Sequence, residues 1–132
     1  MTGTHVTSIP IRLADIDSMG HVNNGRYPDL LSEARAGYYQ EVLEFDLRDA
    51  DTVVVHLSID YFGEITRGDT VNVAVEVSSL GESSITMEYT LRVDDEVVSR
   101  GETVQVMYDR SEKTSRPIPR AWRYAIEDHE GW

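Results

Sequence analysis

The chain has 132 residues, enough for one domain to bury a hydrophobic core without covalent cross-links. It has no cysteine, which excludes disulfides, thiolate metal sites and cysteine nucleophiles, and its net charge of −12 disfavours nucleic acid as a partner. It shows no signal-peptide pattern and no apolar run near the ~18 residues of a membrane span, so we expect a cytoplasmic protein without a membrane contact. The acids are dispersed and lysine is scarce, which fits a salt-adapted host as well as an ordinary acidic protein.

The first predicted element is a strand. Residues 1–4 are expected to be a frayed end. From His5 to Leu13 apolar residues alternate with polar ones, which predicts the strand. Pro10 cannot donate a hydrogen bond, so an edge position or an irregular start is expected.

A long amphipathic helix is predicted next, roughly over residues 24–43. Pro28 fits only in its first turn, and Asn23 or Asn24 is a suitable N-cap. Apolar residues recur at three- and four-residue spacing, whereas Glu33, Arg35 and Glu41 are predicted to lie largely on other faces. The predicted apolar face contains Tyr27, Leu30, Leu31, Ala34, Tyr38 and Val42.

Four further strands are predicted from alternating apolar residues, over residues 53–61, 71–77, 85–93 and 97–108. The pair Asp94-Asp95 is predicted to form the hairpin turn between the last two, and Gly101 to mark a bulge or bend. Residues 109–120 predict an exposed connection. The apolar residues that follow, from Trp122 to Ile126, are expected to dock back as a helical turn.

This order predicts an α+β fold in which one helix covers one face of an antiparallel sheet. We expect a single domain over residues 1–132, with a core of about 5–110 and a tail at 111–132. The uncovered face is predicted to carry Val54, His56, Phe62 and Val98, so self-association is expected to cover it.

The chemistry is predicted to lie between Asp15 and Tyr27. Asp17, on a loop just before a helix, has the chemistry of a nucleophile or general base, although an arbitrary loop aspartate is more often a turn residue. Asp15 is also interpreted as a structural turn residue, and that role is favoured more strongly for Asp15 than for Asp17. Gly20 allows a sharp backbone turn.

The amides of residues 22–25 lie at the predicted helix N-terminus, where free N–H groups and the helix dipole favour an anionic oxygen. A carboxylate beside such amides supplies an attacking group and an oxyanion hole, which are two parts of an acyl-transfer site. His21 and Asn23 are interpreted as residues that shape the loop. The four histidines are dispersed, which argues against a metal site.

The run Asp15-x-Asp17-x-x-Gly20-His21-Val22-Asn23-Asn24-x-x-Tyr27 closely resembles the 4-hydroxybenzoyl-CoA thioesterase-like branch of the hot-dog acyl-CoA thioesterases. The likeness covers nearly the whole chain. Its other segments are Arg12, Glu33-Ala34-Arg35, Ile59-x-Tyr61, Gly68-Asp69-x-Val71, Ser83-Ser84 and Pro117-x-Pro119.

The resemblance implies a five-stranded antiparallel sheet wrapped around one long helix, assembled into homodimers or homotetramers with sites between subunits. It implies hydrolysis of an acyl-CoA thioester without a metal or redox cofactor. Asp17 is then the catalytic carboxylate, as nucleophile or general base, and the backbone N–H of Asn24 polarises the thioester carbonyl. Tyr27, Gly81, Ser83 and Ser84 are the candidate residues for substrate and CoA binding.

Some features depart from this pattern. The turn Leu80-Gly81-Glu82-Ser83-Ser84 lacks the basic residues that meet CoA phosphates in some relatives, and Glu82 would oppose them. The basic residues that could replace them are Arg67, Arg110, Arg116, Arg120 and Arg123.

Two other functions stay open: a non-catalytic protein that binds acyl-CoA or acyl carrier protein, and an enoyl-CoA hydratase or dehydratase. The acyl group is not specified by the sequence.

Overall fold

One antiparallel sheet and one long helical segment account for most of the fold. The computed structural model describes residues 4–132. The expected frayed end lies almost wholly outside that range. The strands are β1 His5–Pro10, β2 Thr52–Tyr61, β3 Thr70–Leu80, β4 Ser84–Val93, β5 Glu96–Asp109 and the short β6 Thr114–Ser115. Their order is β1-β3-β4-β5-β2, and β6 pairs with β5. The five long strands and the α+β class agree with the prediction.

The predicted helix over residues 24–43 is present as three consecutive stretches. A 3₁₀ turn, Asn24–Arg26, leads into helix α1, Tyr27–Tyr38, and a π-helical turn follows at Tyr39–Leu43. Pro28 lies in the first turn of α1, where no intrahelical N–H is needed. The buried face of α1 contains Tyr27, Leu30, Leu31, Ala34, Arg35 and Tyr38.

The placement of Arg35 away from the buried face was wrong. Arg35 is only 9% exposed, and its Nη1 donates a hydrogen bond to the hydroxyl of Tyr89 on β4. A long polar side chain can enter an apolar interface when acceptors are present for its head group. Periodicity, which counts only apolar residues, does not detect such acceptors.

The hairpin turn at Asp94-Asp95 is confirmed. Both residues have positive φ values, 51° and 66°, as a two-residue type I′ turn requires. The bulge predicted at Gly101 is wrong, because Gly101 pairs in continuous register with Ile59 and Tyr89. A Cβ at Gly101 would lie 3.0 Å from Leu31 Cδ1, so this glycine allows the helix to approach the sheet.

The β5 bulge lies instead at Val98, the residue skipped between the pairs Leu91–Ser99 and Arg92–Val97. The extra residue in a bulge shifts which side chains of the strand point to each face of the sheet. Val98 is therefore buried, and its predicted place on an uncovered face was wrong. Val54, His56 and Phe62 from that prediction are exposed.

The C-terminal region packs on the core more extensively than one helical turn. Helix α2, Arg120–Glu130, has 11 residues, about three turns. Trp122 and Ile126 are buried in the same core as the sheet, and the Trp122 ring meets the ring of Phe45 at 5.2 Å. Residues 109–120 are largely exposed, as predicted.

Strand β2 forms one edge of the sheet and is unusually exposed for its composition. Among residues 4–132 its outer edge pairs with no other strand. Its exposed apolar residues, together with the residue that follows it, are Val53, Val54, Val55, Leu57, Tyr61 and Phe62. An apolar edge strand of this kind is a pairing surface unless it is covered.

Candidate active site

The loop that carries Asp17 is a tight hairpin. Its arms are joined by the bridge between Ile16 and Val22 and by the hydrogen bond from Asp17 N–H to the carbonyl of His21, 2.9 Å. Gly20 N–H donates to the Asp17 carbonyl at 3.1 Å, and Gly20 has φ +83°. The turn therefore needs a residue that adopts the left-handed region at little cost, as expected for Gly20.

The Asp17 carboxylate is fixed through one of its two oxygens. Its Oδ1 accepts the backbone N–H of Met19 at 2.9 Å and of His21 at 3.4 Å. Within residues 4–132 no donor reaches Oδ2. The side chain is half-buried, so the structure holds a carboxylate with one oriented oxygen and one available oxygen.

His21 links this hairpin to the segment before β3. Val22 N–H donates to the Ile65 carbonyl at 2.8 Å, and His21 forms an isolated antiparallel bridge with Thr66. The ring Nε2 of His21 lies 3.2 Å from a carboxylate oxygen of Glu64. These contacts support the interpretation of His21 as a residue that shapes the loop.

Asp15 has a structural environment that the sequence did not reveal in full. It is 5% exposed, and its Oδ1 accepts hydrogen bonds from Arg12 Nη2 at 3.1 Å and Arg26 Nη2 at 3.0 Å. Its Oδ2 accepts the Arg12 backbone N–H at 2.9 Å. The hydrogen bonds from Arg12 lower the pKa of Asp15 to about 2. Asp15 therefore anchors the base of the hairpin, and no local pattern indicated that Arg26 would join Arg12 there.

The start of the helical segment presents a free amide. The Asn23 side chain caps it by accepting Gly25 N–H at 2.7 Å, and the Asn23 carbonyl accepts Arg26 N–H at 2.8 Å. No acceptor in the described part of the chain takes the Asn24 N–H. Asn24 is exposed, so its amide is available to an external oxygen at a helix N-terminus.

Hydrogen bonds hold Asp17 and the Asn24 amide on one rigid unit. Asn23 N–H donates to the Asp15 carbonyl at 3.2 Å, so the pairs 15–23, 16–22 and 17–21 form a short antiparallel ladder. A carboxylate and an oriented N–H donor on such a support are the parts needed to attack and polarise a carbonyl group.

Of the remaining predicted binding residues, one is buried at the start of α1 and three lie at a remote turn. Tyr27 is 2% exposed, and its ring packs edge-on against Tyr61 with centroids 4.7 Å apart. The turn with Gly81, Ser83 and Ser84 follows the C-terminal end of β3, whereas the hairpin that carries Asp17 lies near its N-terminal end. The length of this 11-residue strand, about 35 Å, separates the two. One protomer therefore does not bring that turn to Asp17.

Four of the five arginines considered for the CoA phosphates have contacts or positions that bear on that role. Arg123 Nη2 donates to the Gly81 carbonyl at 2.6 Å, at the remote turn. Arg67 is exposed and follows Thr66, the residue that bridges to His21. Arg67 is thus adjacent in sequence to the residue that pairs with the hairpin carrying Asp17. Arg110 and Arg116 face Asp51.

The described residues contain neither a metal-binding cluster nor a membrane-spanning helix. Across residues 4–132, no three histidine, aspartate or glutamate side chains are grouped so that they could hold a metal ion. None of the helices in that range has both the length and the apolar character required to cross a membrane.

The fold and the sequence are similar to those of known proteins. A family model described as "Thioesterase-like superfamily" matches residues 11–126. A thioesterase from Thermus thermophilus, solved with coenzyme A and Zn, is 31% identical, with coverage of 96% and 94% of the two chains and a TM-score of 0.88. PA2801, a putative thioesterase from Pseudomonas aeruginosa, is 34% identical, with coverage of 92% and 97% and a TM-score of 0.84.

A curated relative is more distant. The uncharacterized protein YsmA of Bacillus subtilis is 26% identical over 82 residues, a match that spans 61% of this chain and 56% of that protein. The predicted hot-dog fold and family resemblance are confirmed by the model match and the two solved structures. The chain belongs to the thioesterase-like superfamily.

Proposed function

We propose that this protein hydrolyses an acyl-CoA thioester to the free acid and coenzyme A. The observation that carries the proposal is the hydrogen-bonded hairpin that carries both the oriented Asp17 carboxylate and, at its other end, the unpaired Asn24 amide. The coenzyme A bound by the Thermus thermophilus thioesterase supports a CoA thioester as the substrate class.

Asn24 N–H has the role of an oxyanion donor. It lies at a helix N-terminus, where partial positive charge stabilises negative charge on oxygen. As the tetrahedral intermediate forms, the thioester oxygen gains that charge. Loss of one such donor typically raises the barrier by about 3 kcal/mol.

Asp17 supplies the reacting carboxylate in either of two routes. As a nucleophile, its Oδ2 attacks the carbonyl carbon, the C–S bond breaks, and CoA leaves as a thiolate; water then hydrolyses the resulting mixed anhydride. As a general base, Asp17 takes a proton from the water that attacks the same carbon. The hydrogen bonds to Oδ1 orient the carboxylate in both routes.

The proposed assembly is a homodimer, with the tetramer as a larger form built from it. The support is the exposed apolar edge of β2, which includes Val55 at 61% exposure. A two-fold axis beside β2 also brings the partner's strand ends toward the Asp17 end of the sheet. This arrangement would give Gly81, Ser83 and Ser84 of the partner subunit access to bound CoA, as the predicted binding role requires.

The test of function is thiol release from a panel of acyl-CoA esters with short, long and aromatic acyl groups, each at low and high salt. Turnover of at least one ester supports hydrolysis. Saturable binding without turnover would favour a non-catalytic acyl-CoA protein, and loss of an enoyl-CoA double bond would favour a hydratase.

The test of assembly is light scattering of the wild type and of Val55→Asp. A bulge in β2 leaves Val55 outside the paired register, so the substitution should spare the monomer fold. We expect a dimer or larger form for the wild type and a monomer for the variant. A monomeric wild type would contradict the proposed assembly.

A further inference from the structure

We infer that Arg35 selects acyl groups that carry a carboxylate at the end remote from the thioester. This inference rests on the proposed thioesterase function and names the substrate class of that site. It starts from an arginine that is 9% exposed. Among residues 4–132, no carboxylate oxygen lies within 4.0 Å of its guanidinium.

The groups that hold the guanidinium are all neutral. Arg35 Nη1 donates to the Tyr89 hydroxyl at 3.2 Å, and Nη2 donates to Ser32 Oγ at 3.1 Å. The Tyr89 hydroxyl in turn shares a hydrogen bond of 2.8 Å with Thr103 Oγ1, which also accepts Gln105 Nε2 at 2.6 Å. This network fixes the cation in one position without neutralising it. A buried charge left without a counter-charge is costly.

Arg35 also lines a groove of about 210 Å³ between α1 and the strands β2 and β5. Most of the lining is apolar, and its polar members are Ser32, Arg35 and Thr103. The lining residues are Pro28, Leu31, Ser32, Arg35, Val54, Leu57 and Thr103. The volume is below the roughly 300–1,000 Å³ of a pocket for a whole drug-sized ligand, so it suits an acyl group rather than an entire acyl-CoA.

The groove is aligned with the proposed oxyanion donor. Pro28 follows Asn24 by about one helical turn, and Arg35 follows Pro28 by about two more. Asn24 and Arg35 are about 16 Å apart along the helix, and a helical side chain leans toward the N-terminus, which shortens the gap. An acyl group whose carbonyl oxygen binds Asn24 N–H would therefore enter beside Pro28 and end near Arg35.

Charge complementarity then specifies the far end of the acyl group. A carboxylate there gains a charge-assisted hydrogen bond to a guanidinium already oriented for it, and it supplies the missing counter-charge. A methyl group at the same position would remove the remaining water from Arg35 without accepting a hydrogen bond from its guanidinium. The strongly acidic protein would repel the carboxylate of such an acyl group over most of its surface. The groove beside Arg35 is therefore a local region that attracts it.

The test compares kcat/KM for two pairs of substrates of matched length, suberoyl-CoA with octanoyl-CoA and adipoyl-CoA with hexanoyl-CoA. We expect the wild type to prefer the dicarboxylic member of at least one pair by tenfold or more. Arg35→Gln should reduce that preference by about ten- to a hundredfold, and Arg35→Lys should retain more of it. The preference within a pair is not changed by a general loss of folded enzyme.

The control is Arg48→Gln, which removes the same charge from an exposed arginine outside the groove and should leave the preference unchanged. If Arg35→Gln does not fold, Ser32→Asp replaces it, since Ser32 Oγ accepts a hydrogen bond from Arg35 Nη2 and a carboxylate there would supply the counter-charge from the protein itself and lower the preference. Equal efficiency within both pairs for the wild type, or an unchanged preference in the groove variant, would overturn the inference while the thioesterase proposal stands. Absence of hydrolysis with every ester would contradict both.

Discussion

The hydroxyl of Tyr61 donates a hydrogen bond of 3.2 Å to the backbone carbonyl of Asn24. Asn24 is the residue whose N–H is the proposed oxyanion donor, and Tyr61 is the last residue of the edge strand β2. The Tyr61 ring also packs edge-on against the buried Tyr27. The edge of the sheet and the start of the helical segment are therefore joined at the proposed site.

Tyr61→Phe tests whether this bond positions the Asn24 peptide. The variant keeps the ring contact with Tyr27 and loses only the hydroxyl. A single neutral hydrogen bond is worth about 0.5–1.5 kcal/mol, so we expect kcat to fall about two- to tenfold with little change in KM. The measurement is steady-state thiol release, with Tyr124→Phe, at an exposed position, as the control. A wild-type kcat in Tyr61→Phe would contradict the positioning role.

Asp15 predicts a specific acid sensitivity of the fold. Its pKa is lowered from 3.8 to about 2, chiefly by hydrogen bonds from Arg12. A carboxyl with a lowered folded-state pKa stabilises the fold above its unfolded-state pKa, and this contribution is lost as the pH falls toward the folded-state value. The free energy of unfolding should thus decrease between about pH 4 and pH 2 in the wild type.

Asp15→Asn removes this titration. We expect the variant to be less stable at neutral pH and to show a flatter pH dependence below about pH 4, measured by urea unfolding at successive pH values. Asp46→Asn is the comparison, because the pKa of Asp46 is also lowered to about 2, by Arg48, at a more exposed position. An equal acid dependence in Asp15→Asn and the wild type would show that Asp15 is not the responsible group.

Three glutamates oppose one another across the sheet. Glu76 pairs with Glu88 on β4, and Glu88 pairs with Glu102 on β5. Directly opposed like charges destabilise a sheet, so Glu88→Gln should raise the free energy of unfolding by about 0.2–1 kcal/mol. The gain should shrink at molar salt, where screening is strong. Glu112→Gln gives the same change of net charge at an exposed turn and should have less effect; destabilisation by Glu88→Gln would refute the argument.

The sequence predicted the parts of the fold that depend on local pattern. Apolar alternation located the strands, three- and four-residue spacing located the helix, and Asp94-Asp95 identified a turn that requires two positive φ values. The motif from Asp15 to Tyr27 indicated the family, and the family resemblance implied the hot-dog fold.

The errors arose where distant residues decide the outcome. Arg35 is buried because Tyr89, 54 residues away, offers an acceptor. Val98 is buried because a bulge changes which side chains of β5 point to each face of the sheet, and this bulge depends on how β5 pairs with β4. Helix α2 is stabilised because Trp122 and Ile126 pack into a core that is formed by other elements of the fold. No local pattern encodes such contacts.

The measurement that tests the central claim most directly is thiol release by Asp17→Asn with the best substrate of the wild type. The asparagine keeps the shape of the side chain and its Oδ1 acceptor but removes the reacting carboxylate. We expect a loss of about a hundred- to ten-thousandfold in kcat, with substrate binding largely retained. Asp128→Asn, at an exposed position on α2, is the matched control. Activity of Asp17→Asn within a few-fold of the wild type would contradict the proposed role of Asp17.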